Sequence, residues 1–120
     1  MNGLKNDGIV FLAVLTNTAE AGDKPAEALT RVARFWFEER MIGAARQFAA
    51  QGARARIDMI IRINGTQQAA RIGNYAVLGN GDQFRILNVS RGLDDDTLLK
   101  FTELTLERLD HLYDVIDPQS

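Results

Sequence analysis

Apolar and polar positions along the chain fall into runs with two different periods. Ile9-Val10-Phe11-Leu12-Ala13-Val14-Leu15 is an unbroken apolar run of strand length, rich in β-branched and aromatic residues, which fits a strand covered on both faces. Thr16 to Lys24 is turn-rich, and Pro25 fits either a loop or the first turn of a helix. Ala26-Glu27-Ala28-Leu29 with Val32, Ala33 and Trp36 would suit a helix running unbroken from Pro25. Against that, Thr30 to Phe37 has strand composition. From Glu38 to Ala50 the period changes to about 3.6, with Met41, Ile42, Ala45, Phe48 and Ala49 on one face and Arg40, Arg46 and Gln47 opposite. Glu38 and Glu39 suit a first helical turn, where carboxylates meet the positive end of the helix dipole, and Gln51-Gly52 supplies a stop. The pattern favours a strand followed by an amphipathic helix.

Ala53 to Ile63 alternates Arg54, Arg56, Asp58, Ile60 and Arg62 with Ala55, Ile57, Met59, Ile61 and Ile63, the clearest strand in the chain, with one face expected to be wet. Tyr75 to Leu78 and Gln83 to Val89 flank Gly79-Asn80-Gly81-Asp82, and the Asn-Gly pair predicts a tight hairpin because both residues tolerate positive φ. Gly92-Leu93-Asp94-Asp95-Asp96 interrupts the rhythm, and Leu98 to Leu106 restores it. A short helix from Thr105 to Val115 is a further option, closed by Asp117-Pro118. The fold class expected is mainly β with one principal helix (α+β): a small antiparallel β-barrel or sandwich of about six strands with the helix inserted between the second and third. Residues 1–8 read as a polar arm, 9–109 as a single domain, and 110–120 as an acidic tail.

With 120 residues, 46% of them hydrophobic and 25% charged, the chain has room for one core and the balance of an ordinary soluble domain. Its longest apolar run is too short for a membrane helix, so no membrane partner is expected. The absence of cysteine removes disulfides, thiolate nucleophiles and sulfur-based zinc sites. His111 is the only histidine and lies in the acidic tail, which speaks against a catalytic triad.

Formal charge is -2, but it is unevenly spread. Residues 31–71 carry eight arginines against three carboxylates, a net of +5; residues 91–120 carry three cations against eight carboxylates, a net of -5. If the segments lie on opposite sides, each copy offers complementary patches for a head-to-tail contact of the kind that closes rings. If they face each other within one chain, the charge neutralises internally.

Little else in the sequence suggests chemistry. Asp94-Asp95-Asp96 supplies hard oxygen ligands but lacks the alternate spacing and terminal Glu of a calcium loop, so no metal and no cofactor are expected. Gly79-Asn80-Gly81 lacks the Lys and Ser or Thr of a phosphate-binding loop. Arg31, Arg34, Phe35, Trp36 and Phe37 could stack on single-stranded nucleic acid, as small oligonucleotide-binding β-barrels do. The acidic isoelectric point near 5.3 argues against it, and the simpler arrangement has Phe35 and Phe37 in the core with Trp36 as an exposed interface anchor.

Several segments, Asn74-Tyr75-Ala76-Val77 among them, carry a resemblance to a known family. Arg34-Phe35-Trp36-Phe37-Glu38-Glu39 leading into Met41 to Gly52, the alternating Arg56 to Ile63, and the final strands with Asn80-Gly81-Asp82-Gln83-Phe84-Arg85-Ile86 and Glu103 to Arg108 together resemble the phage head-tail connector family over residues 9–109. The resemblance implies a non-enzymatic structural virion protein of the neck, called head-tail adaptor, stopper or head-closure protein. Such a protein would be assembled in the host cytoplasm as a homo-oligomeric ring. Its implied neighbours are a portal or adaptor ring above, tail-terminator or tail-tube proteins below, and packaged DNA passing through the channel. Carried onto this chain, it makes Arg34, Trp36, Glu38, Glu39, Met41, Arg46 and Phe48 candidates for subunit contacts. Gly92, Leu93, Asp94, Asp95 and Asp96 become candidates for a loop facing the channel or the next ring. The runner-up functions are a single-stranded nucleic-acid-binding β-barrel and another neck or tail-completion component.

Overall fold

The computed structural model describes residues 7–17, 26–42, 56–65 and 68–118. Seven strands follow in chain order: β1 (Gly8–Asn17), β2 (Glu27–Arg40), β3 (Met59–Asn64), β4 (Tyr75–Leu78), β5 (Gln83–Leu93), β6 (Lys100–Arg108) and β7 (Asp114–Ile116). They build one sheet in the order β1-β4-β5-β6-β3-β2-β7, and β1 also pairs directly with β2. β7 runs parallel to β2, and the other pairings are antiparallel.

The expectation of an α+β fold is corrected: the described residues are all-β, with no helix among them. They form one seven-stranded sheet, neither a sandwich nor a six-stranded barrel with an inserted helix. Glu38 and Glu39, expected in the first turn of the helix, end β2, where Glu38, Glu39 and Arg40 pair with Arg62, Ile61 and Ile60 of β3. Residues two apart on a strand share a face, so Arg40 meets the Glu38 carboxylate directly and replaces the helix dipole as its partner. The remainder of the expected helix, including Arg46 and Phe48, lies in residues 43–55, outside the described residues. The option of a helix from Thr105 is also overturned, since Lys100–Arg108 is strand.

β1 is covered on both faces, as its composition suggests. Val10 and Leu12 enter the main core with Ile61, Ile63, Phe84, Ile86, Leu104 and Leu106. The alternate Phe11, Ala13 and Leu15 join a second cluster with Leu29, Tyr75 and Val77. Each fully buried side chain of this size contributes about 1.5–3 kcal/mol through removal of apolar surface from water. The second cluster is closed by the C-terminal segment. Leu109, Tyr113 and Val115 pack on it, with the Tyr113 ring edge-on to Tyr75 at 6.0 Å. Residues 114–116, within the stretch that reads as an acidic tail, thus extend the sheet as β7. The face of β3 expected to be wet is in fact partly covered: Ile60 is buried, and Arg62 lies between Phe101 and Glu103.

Candidate interaction surface

The Gly92–Asp96 candidates sit where β5 turns into β6, and local hydrogen bonds fix the turn. Asp94 N–H donates to the Leu99 carbonyl at 2.9 Å, and Leu98 N–H to the Asp94 carbonyl at 2.8 Å. The Asp94 carboxylate accepts from the N–H groups of Asp96 (2.9 Å) and Thr97 (3.0 Å), and Leu99 N–H reaches the Thr97 hydroxyl at 3.3 Å. Those bonds from Thr97 and Asp96 favour the charged form and hold the Asp94 carboxyl below its ordinary pKa. Asp94 is therefore the internal staple of the turn, while Asp95 and Asp96 project into solvent. The three acids do not form a metal-holding group, nor does any other cluster among the described residues.

Leu98 has φ 59° and is the one non-glycine residue at positive φ among the described residues. A left-handed backbone costs an L-residue about 1–2 kcal/mol. Here the strained residue points its side chain outward: Leu98 is 72% exposed, beside Leu93 at 57% and Leu99 at 51%. A preorganised turn thus carries three leucines and two free carboxylates on its surface.

A second exposed surface lies on β2. Arg34 and Trp36 share its outer face, and Trp36 is 54% exposed. Their partners across β1 are Phe11 and Ile9. Phe37 is buried and Phe35 packs on the main core, so Trp36 alone of the three aromatics faces out. Trp36 helps to line a cleft of about 360 Å³ with Ile9, Phe37, Leu78 and the Gly79-Asn80 turn. In that turn the loop has three residues: Leu78 N–H donates to the Asp82 carbonyl, Gly81 N–H donates to the Leu78 carbonyl, and Gly81 at φ 100° is the left-handed residue that completes it.

The predicted contact residues accordingly divide. Arg34, Trp36 and Met41 are exposed; Glu38 is buried; Glu39 is exposed with its N–H held by the Asp7 carboxylate at 2.8 Å. Gly92 lies within β5 under the Phe101 ring, and Leu93, Asp95 and Asp96 are exposed. Sequence reasoning missed Leu98 and Leu99, which read as the start of a strand. Their signal was an apolar pair one residue beyond the three acids.

Internal neutralisation accounts for much of the charge split. Arg31 pairs with Asp117 at 2.7 Å and Arg62 with Glu103 at 3.0 Å, each joining the basic to the acidic segment. Arg56 bonds Asp58 at 2.9 Å, which raises its pKa, and its backbone N–H meets Glu107. Arg34 on one side, and Asp95 and Asp96 on the other, form no ion pair among the described residues.

This chain is similar to protein SF1141 from Shigella flexneri 2a, whose solution structure matches with a TM-score of 0.54 at 14% identity, over 88% of this chain and 96% of that one. At that identity the likeness is one of fold alone. No family model matches the sequence, and no curated protein matches it.

Proposed function

We propose that the chain is a structural subunit that acts by assembling with copies of itself, as a ring in the neck of a long-tailed phage that closes the DNA-filled head and docks the tail. The observation that carries this reading is the β5–β6 turn, which holds a leucine in a strained conformation and exposes it, with two neighbours, to solvent. Strain of that kind is held in place by the surrounding structure and clusters at sites that contact something outside the chain. The resemblance over residues 9–109 supplies the setting, with a portal or adaptor ring above and tail-terminator or tail-tube proteins below. Removing the coding sequence from a phage that carries it tests the reading: DNA-filled heads and free tails should accumulate separately. Tailed, infectious particles formed without it would contradict the reading.

One observation favours the nucleic-acid alternative, namely Arg34 and Trp36 exposed together on one face. Stacking platforms for single strands use several aromatics in succession, and Phe35 and Phe37 point inward. Oligonucleotide binding that weakens steeply with salt would shift the balance to that alternative.

A further inference from the structure

We infer that the β5–β6 turn of one copy seats against the Arg34–Trp36 row of β2 in a second copy, giving a head-to-tail contact; the inference rests on the assembly reading above. The two surfaces match in chemistry. Leu93, Leu98 and Leu99 are apolar partners for Val32 and Trp36, all exposed. The carboxylates of Asp95 and Asp96 and the Arg34 guanidinium are charges without an ion partner among the described residues, and they have opposite signs. Elsewhere the two charged segments consume each other, as Arg31–Asp117 and Arg62–Glu103 do.

β2 also offers backbone groups at this place. On one side its residues Arg31 to Phe37 face β1; on the other, β7 stops at Thr30 and β3 begins at Glu38, so no described strand occupies that edge. The Ile9 carbonyl accepts from Gly79 N–H, turning away from β2, and in an antiparallel pair its partner Trp36 then also points its N–H and carbonyl away from β1. Alternation gives Arg34 the same direction. An edge that presents N–H groups beside a guanidinium suits carboxylates.

The surfaces belong to different strands of one chain, with β6 and β3 standing between β5 and β2 in the sheet. Across the sheet, the registers Glu38–Arg62, Arg62–Glu103 and Glu103–Ser90 set Trp36 level with Gly92 three strands away, roughly 14 Å at about 4.8 Å per strand. Two different patches that fit each other but lie apart on one subunit make a heterologous contact, which propagates from copy to copy and closes if the rotation allows.

The natural lack of cysteine makes the test direct. R34C and D95C single variants, mixed under mild oxidation, should form a mixed disulfide about tenfold faster than R34C with the exposed control D110C. The R34C/D95C double variant should give a ladder of multimers rather than a single dimer. Equal rates with D95C and D110C would overturn the contact. If wild-type chain nevertheless self-associates in sedimentation, the contact alone has failed. If wild-type chain stays monomeric at its highest soluble concentration and neither disulfide forms preferentially, the assembly reading fails with it.

Discussion

Gly92 and Phe101 are register partners across β5 and β6, and the Phe101 ring fills the space a side chain at Gly92 would need: a Cβ there would lie 2.9 Å from the ring tip. The Arg62 guanidinium stacks over the ring at 3.9 Å from its centroid and is itself paired with Glu103. Gly92 is thus a packing glycine at the root of the exposed turn. Gly92→Ala should destabilise the fold by about 1 kcal/mol, the low end of overpacking because the ring tip can swing aside. In a Phe101→Ala background the same change should cost close to nothing in a denaturation cycle. Equal costs in both backgrounds would separate the two residues.

On the proposed assembly, Leu98 trades stability of the free chain for contact between copies. Leu98→Gly relieves the left-handed leucine and should leave the free chain no less stable, with a gain of up to about 1 kcal/mol before the extra flexibility of glycine is subtracted. The same variant should associate more weakly with other copies, because an exposed anchor is gone. Denaturant titration paired with sedimentation reads both effects. A fall in stability with unchanged association would mean that the leucine serves the fold.

Gln83 ties the C-terminal segment to the sheet. It is buried, its side-chain amide donates to the Tyr113 carbonyl at 2.8 Å, and its oxygen accepts from Tyr113 N–H at 2.9 Å. Gln83→Leu strands both backbone groups and should cost about 1–3 kcal/mol. Amide exchange at Val115 should accelerate more than at Leu104 if the segment detaches locally.

Acid should loosen the β5–β6 turn. The Asp94 carboxyl lies below its unfolded value because Thr97 and Asp96 donate to its charged form, so its contribution is fully present above the unfolded pKa of about 4 and disappears as pH falls through the lowered folded value. The amide resonances of Asp96 and Thr97 should move together over that acidic range. In Asp94→Asn, which accepts hydrogen bonds without titrating, they should lose that step.

Strands whose burial is decided by their own composition were legible in the sequence. The apolar run of β1 announced two covered faces, the alternation around Arg62 marked β3, and Asn80-Gly81 located the β4–β5 turn, where Gly81 takes positive φ and Asn80 does not. Elements fixed by distant partners were not. Glu38 and Glu39 resemble a helix start until β3 arrives to pair with them. β7 is three residues long, and Asp114 and Asp117 disguise it; only the apolar surface formed by Leu29, Tyr75 and Val77 gives Val115 a place to pack. At the candidate surface, Trp36 could be picked from composition and Asp95 and Asp96 came only with the family resemblance, whereas the outward turn of Leu98 depends on backbone geometry that composition does not encode.

The central proposal, that this chain is a building block of a particle neck, is tested most directly by electron microscopy of purified particles of a phage that encodes it. The expected result is a ring of copies of this sheet between portal and tail, with the β5–β6 turn of each copy buried against another chain. A neck fully accounted for by other proteins, with this chain absent from the purified particle, would contradict it.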